Sequence, residues 1–215
     1  MVPRNNTTME RELLAWMPAG STCRTLKIPR GEGMLDEASV PAYRAAAAAL
    51  AQGFAGGGYD AIAYGCTAAG FISGPAADAA LAAELQDATG TPVVTTAQAM
   101  VLALQESGAK HIAVVTPYLD LVNDRLTAFL AGAGIAVRCL KSFRAADVDE
   151  LGSIESPAVA QLARETMRDD CDALFIACSQ LPTRDIVEPL QRDLGRPVWS
   201  SIQATAWQAR RMLAV

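Results

Sequence analysis

Tyr59-Asp60-Ala61-Ile62-Ala63-Tyr64-Gly65-Cys66-Thr67 and Cys171-Asp172-Ala173-Leu174-Phe175-Ile176-Ala177-Cys178-Ser179 are two versions of one segment. In each, an Asp opens an apolar run, a Cys stands six positions after that Asp, and a hydroxyl residue follows the Cys. Cys178 lies 112 positions after Cys66. A second pair, Gly90-Thr91-Pro92-Val93-Val94-Thr95-Thr96 and Gly195-Arg196-Pro197-Val198-Trp199-Ser200-Ser201, recurs at 105 positions, and a weaker third, Val2-Pro3 and Thr116-Pro117, at 114. Three matches in one order at similar spacing predict two similar halves. Short runs that are apolar almost throughout suit strands covered on both faces, as in parallel sheets.

Working outward, strands are expected at 60–65, 91–96, 110–116, 135–140, 172–177 and 196–201. Helical stretches rich in Ala lie between them, at 40–53, 76–88, 97–107, 118–131, 157–168, 182–193 and 204–214. Gly90, Gly108, Gly132 and Gly195 follow helix ends, where glycine adopts a left-handed cap at little cost. Met1-Val2-Pro3 reads as the tail of a first strand, followed by a polar turn and a helix opened by Glu10 and Glu12, acids that suit a helix N-terminus. This alternation predicts an α/β fold: two pseudosymmetric domains with mostly parallel sheets flanked by helices and a cleft between them. The first domain is expected at 1–96 plus 202–215 and the second at 97–201, with the C-terminal helix returning to the first half.

The chain's 215 residues are 51% apolar and 19% charged, with mean hydropathy +0.19, which excludes disorder as the main state and allows a sizeable core. A net charge of −5 with no Lys/Arg cluster argues against nucleic acid as a partner. The sequence has no apolar run of membrane length and no signal-peptide core near Met1, so a cytoplasmic protein is expected. The five cysteines do not fall into a disulfide framework. His111 is the single histidine, so paired imidazoles, a His-rich metal site and a Ser-His-Asp triad are set aside, and no metal or cofactor is expected.

Cys66 and Cys178 stand at the carboxyl ends of equivalent strands, where open α/β sheets bind ligands. A thiol at the start of the next helix, or beside a loop rich in free N–H groups, is expected to have its pKa lowered toward neutrality. The same N–H groups can hold a small carboxylate without a basic side chain. Two opposed thiols can then act as base and acid on opposite faces of one carbon, or one can add covalently while the other protonates. Cys23, Cys139 and Cys171 lack such matched context and read as ordinary packing residues. Thr67, Ser179, Thr96 and Ser201 follow the repeated strands and could donate to a carboxylate or cap a helix. Tyr118 stands just past a strand end, and Asn6 in the polar turn suits either a site or an N-cap. Gly56-Gly57-Gly58 precedes a strand and lacks the Lys-Ser/Thr of a phosphate loop.

These residues resemble the aspartate/glutamate racemase superfamily, and within it the maleate cis-trans isomerase and arylmalonate decarboxylase branch. The resemblance spans essentially the whole chain. Val2-Pro3-Arg4-Asn5-Asn6-Thr7-Thr8-Met9-Glu10 is similar to an isomerase opening whose Asn binds a substrate carboxylate, a role that falls on Asn6. Val115-Thr116-Pro117-Tyr118 resembles a segment whose Tyr also contacts a carboxylate, and Cys178-Ser179-Gln180-Leu181-Pro182-Thr183 resembles the isomerases' second cysteine motif. Gly65-Cys66-Thr67 matches the first cysteine position. The isomerases carry a further carboxylate-binding Asn near 146–152; Val148 takes that place here, implying a less polar substituent than in maleate. The decarboxylases have Gly where this chain has Cys66, although the stretch 116–126 and Trp207 are closer to them. The resemblance implies two pseudosymmetric α/β domains, cofactor-independent isomerisation of a small carboxylic acid through Cys66 and Cys178, and a homo-oligomer. A racemase of the Asp/Glu/hydantoin type, an arylmalonate-type decarboxylase using Cys178 as proton donor, and a small-acid sensor without turnover stay open.

Overall fold

The computed structural model describes residues 1–31 and 33–214. Glu32 and Val215, both within the first domain expected from sequence, lie outside the described residues. The first half runs β1 (Val2–Pro3), α1 (Met9–Ala15), β2 (Lys27–Ile28), α2 (Val40–Ala51), β3 (Ile62–Tyr64), α3 (Thr67–Ser73), α4 (Pro75–Thr89), β4 (Val93–Thr95) and α5 (Thr96–Glu106). The second runs β5 (His111–Thr116), α6 (Asp120–Gly132), β6 (Ala136–Ser142), α7 (Val148–Gly152), α8 (Ser156–Thr166), β7 (Ala173–Ile176), α9 (Val187–Leu194), β8 (Val198–Ser200) and α10 (Ser201–Leu213). The fold is α/β with parallel sheets, as the alternation predicts.

The second half holds a four-stranded sheet of order β6-β5-β7-β8, every pairing parallel. In the first half, β1 pairs with β2 and β3 with β4, again in parallel. Two bonds join these pairs: the Met1 nitrogen donates to Ala63 O at 2.7 Å, and Gly65 N donates to Met1 O at 2.7 Å. The order β2-β1-β3-β4 therefore repeats that of the second sheet. The counterpart of the second bond is Ala177 N to Val115 O at 2.8 Å, and Gly65 and Ala177 are separated by the same 112 positions as the two cysteines.

That strand order decides where a site can form. After β1 and β5 the chain turns to one edge of its sheet; after β3 and β7 it turns to the other. The carboxyl ends of β1/β3 and of β5/β7 are thus topological switch points, where diverging connections leave a crevice. Residues just past these four strands include Asn6, Cys66, Tyr118 and Cys178.

The core divides in the same way. One apolar cluster surrounds the second sheet and takes in α5, and another fills the first half beneath α2 and α4. Ile112 through Val115 are fully covered, which is why their segment reads as a continuous apolar run. Ala47 and Ala51 of α2 lie fully buried, so small side chains let that helix pack closely. A third small cluster, Val2, Met9 and Ile202, lies where β1 and α1 meet α10. No helix among the described residues is long and apolar enough to cross a membrane.

Candidate active site

Cys66 is the residue from which α3 springs, in an extended conformation that turns the chain from β3 into the helix. Cys178 follows β7 at the head of a turn, and the N–H of Gln180 donates back to its sulfur at 3.4 Å. Both thiols line one cavity of about 300 Å³, together with Asn6, Thr67, Tyr118, Ser179 and Gln180. Most of these side chains are almost wholly covered: Asn6 is 2% exposed, Cys66 4% and Cys178 7%. The cavity draws on the strand ends of both halves, as the switch-point argument requires.

Each polar group has an assigned neighbour. Asn6 serves both purposes that its position allowed: its Oδ1 accepts from Thr8 N and Met9 N at the start of α1, at 3.2 and 2.9 Å, while its Nδ2 donates to Ser179 Oγ at 3.1 Å. The Ser179 hydroxyl donates to Gly65 O at 2.8 Å, so its proton ties the halves together and is not directed at a ligand. Gln180 clasps Thr7, accepting from its N at 2.9 Å and donating to its hydroxyl at 3.0 Å. The Tyr118 ring packs edge-on against Phe71 of α3 with centroids 5.6 Å apart, which carries a side chain of the second half across to the first. Its hydroxyl lies beside Cys178 and Thr67.

The thiols are not acidified in this cavity. Burial pushes Cys66 up to about 11, outweighing the N–H of Ala69, the Tyr43 hydroxyl and the more distant charge of Arg30. Burial likewise pushes Cys178 up, against the N–H groups of Gln180 and Leu181 and the Tyr118 hydroxyl. The amides expected to acidify the thiols are present and act in that direction, but the loss of water is the larger effect and reverses the outcome expected from sequence. Behind Cys66, the Tyr43 hydroxyl is buried, has no partner at hydrogen-bond distance among the described residues, and faces the sulfur.

Two of the candidate hydroxyl residues lie elsewhere. Thr96 donates to Tyr64 O and accepts from Thr205, both at 3.1 Å, and Ser201 accepts from Thr67 at 3.1 Å; neither lines the cavity. Their strands, β4 and β8, stand at the outer edges of the two sheets, so their ends open toward α5 and α10 and not onto the crevice. The caps of those helices are the preceding residues, Thr95 and Ser200, which accept from Gln98 N and Gln203 N at 3.2 Å. Val148 does not reach the cavity either; Ala146 and Leu151 line it from that segment. Trp207 packs on Trp199 and under Arg211, away from the thiols. His111 sits 3.6 Å from Asp172 on the surface. Among the described residues, no group of three or more His, Cys, Asp or Glu side chains could hold a metal ion.

Sequence reasoning missed the rest of the lining. Arg30 and Leu35 come from the loop between β2 and α2, and Leu119, Leu121 and Val122 from the start of α6. A two-residue strand such as Lys27–Ile28 shows no period, so nothing in the pattern placed its following loop at the site. Gln180 stood inside the quoted cysteine motif and was open to detection there.

A family profile for arylmalonate decarboxylase matches residues 34–215. The chain belongs to the arylmalonate decarboxylase family. Among curated members and relatives of this family, it is 32% identical to an arylmalonate decarboxylase of Bordetella bronchiseptica over 148 residues, covering 68% of the chain and 62% of that protein. It is 31% identical to a maleate isomerase of Nocardia farcinica over 160 residues, covering 72% of the chain and 64% of that protein. These two matches span less than two thirds of either relative's length. A solved structure of Nocardia farcinica maleate cis-trans isomerase, a Cys-to-Ser mutant with a covalently bound succinylcysteine intermediate, superposes with a TM-score of 0.89 at 26% identity, covering 100% of this chain and 91% of that one. The arylmalonate decarboxylase family thus includes this chain, and its structural relatives share the two-half α/β architecture.

Proposed function

We propose that this protein is a cofactor-independent isomerase of a small carboxylic acid, most like a maleate cis-trans isomerase, working through Cys66 and Cys178. The observation that carries this reading is that two thiols from equivalent strand ends line one cavity. In the cis-trans reaction, the Cys66 thiolate adds to one alkene carbon and forms a C–S bond. The displaced π electrons move into the adjacent carboxylate, and Cys178 gives its proton to the neighbouring carbon. The former double bond is now single and rotates. Cys178 then takes the proton back, the double bond re-forms, and the Cys66 sulfur leaves with its electron pair. Asn6, Tyr118 and the backbone N–H groups just past Cys66 and Cys178 hold the carboxylate on which charge builds, while the Thr67 hydroxyl is engaged by Ser201. Ser179 contributes by fixing Asn6. Support also comes from the Nocardia farcinica structure, whose succinylcysteine is the species that thiol addition and protonation of maleate would form.

Proton exchange followed by NMR in deuterated water, across a panel of mono- and dicarboxylates, tests the reading. Cys66→Ala and Cys178→Ala are each expected to slow turnover by roughly a hundredfold or more. Full activity in both variants on the true substrate would end the proposal. A second reading is favoured by the family match and the apolar start of α6 at the cavity: an arylmalonate-type decarboxylase with Cys178 as proton donor. It predicts carbon dioxide release and a dispensable Cys66. An α-proton racemase would need both thiols and release nothing. A small-acid sensor would be stabilised by an anion without any exchange. A cytoplasmic homo-oligomer belongs to the same proposal, and light scattering measures its size.

A further inference from the structure

Arg30 is the one positively charged side chain among the described residues lining the cavity. It extends from the loop between β2 and α2 and is half-buried, whereas Asn6, Thr67 and Tyr118 are nearly inaccessible. The cavity therefore has a neutral polar floor between the thiols and a cation at its rim. The guanidinium is oriented, not free to swing: it donates to Asn5 Oδ1 at 3.3 Å and to Gly33 O. Among the described residues, partners engage two of its five N–H groups, and a guanidinium fork suits a planar carboxylate. The acid that also lines the cavity, Asp36, is engaged by Ser39 N and Oγ at 2.8 and 2.6 Å, at the start of α2. In a chain of net charge −5, a fixed cation at the entrance also draws an anion toward a cavity that the overall charge disfavours.

We propose that Arg30 holds the second carboxylate of a dicarboxylate at the rim while the first lies on the floor between Cys66 and Cys178, so that Arg30 selects dicarboxylates over monocarboxylates of the same size. This rests on the proposed function, in which the floor receives a carboxylate. The charge of Arg30 also reaches both sulfurs, as a minor influence beside their burial. The role is one of positioning and specificity, and no proton passes through Arg30.

The test compares thermal stabilisation of the full chain by maleate and by its half-amide, maleamate, which differ in one carboxylate. Wild-type protein should reach a given shift at a maleate concentration tenfold or more below that of maleamate. In Arg30→Gln the two should become equivalent, and Arg30→Lys should keep part of the difference. Unliganded melting of both variants checks their folding, and Arg30→Lys carries the comparison if Arg30→Gln is unstable. Absence of any maleate preference in wild type, or an undiminished preference in Arg30→Gln, overturns the inference. The isomerase reading fails separately: wild type that prefers maleate through Arg30 but exchanges no proton of any acid loses the isomerase and keeps the Arg30 site.

Discussion

Cys66 sits in two opposing fields, the amides at the start of α3 and the loss of water around it, and its behaviour is decided by which is larger. With its thiol pushed up to about 11 by burial, roughly one molecule in ten thousand carries the thiolate at pH 7. Iodoacetamide modification of Cys66, followed by intact mass, should therefore climb tenfold per pH unit from 7 to 10 without levelling off. A plateau below pH 9 would show that the amides outweigh burial. The strand-end position of both cysteines was legible because the repeat preserves it. The burial was not, since it comes from Tyr43 on α2, Tyr118 from the other half, and the meeting of the two lobes. The hydroxyl residues show the complementary lesson: the repeat correctly made Thr96 and Ser201 equivalent to each other, but equivalence does not say which strand ends face the crevice. That depends on strand order, which no single segment encodes.

At the scale of elements, α3 is the part that sequence reasoning left undefined. Thr67–Ser73 is short and contains Gly70, a weak helix former, yet that glycine is what lets the helix fit. A Cβ on Gly70 would stand 2.5 Å from Ala97 Cβ on α5 and 2.7 Å from Asp78 Oδ1 on α4. Asp78 is itself a buried acid that donors only partly satisfy: Thr95 donates to its Oδ2, and Oδ1 has no partner among the described residues. Burial pushes its carboxyl from 3.8 to about 6, against the Thr95 hydroxyl and the charge of Arg44. The folded state thus binds this proton more tightly than the unfolded state. The fold bears the cost of an ionised Asp78 above pH 6 and is relieved of it as pH falls from about 6 toward 4, by about 3 kcal/mol in all. Urea unfolding of wild type and Asp78→Asn at pH 4.5, 6 and 8 should show the variant gaining relative to wild type as pH rises. Parallel pH dependences would assign that slope to other groups. Two further elements, β2 and α7, escaped the sequence because two and five residues are too few to display a period.

At the scale of the molecule, the two halves are held together by the same segments that build the cavity floor. Asn6 reaches Ser179, Ser179 reaches Gly65, and Thr67 reaches Ser201, each bond joining parts of the chain more than a hundred residues apart. Glu12 extends this seam. In the sequence it is an acid suited to the first turn of α1, and its position there holds; its partners, however, lie across the seam. The Glu12 carboxylate accepts from Thr183 N at 2.9 and 3.0 Å, from Thr183 Oγ1 at 3.0 Å and from Arg184 N at 3.0 Å. It thereby anchors the turn that follows Cys178, and no local pattern in α1 could have announced a partner 171 positions away. Glu12→Ala leaves the Thr183 and Arg184 amides without their acceptor and should cost about 3 kcal/mol of unfolding free energy. Glu12→Gln keeps one acceptor oxygen in place and should cost less than half of that. Because the released turn carries Cys178, Glu12→Ala should also lower turnover at temperatures where the protein is still fully folded, whereas a contact that served stability alone would leave that rate untouched.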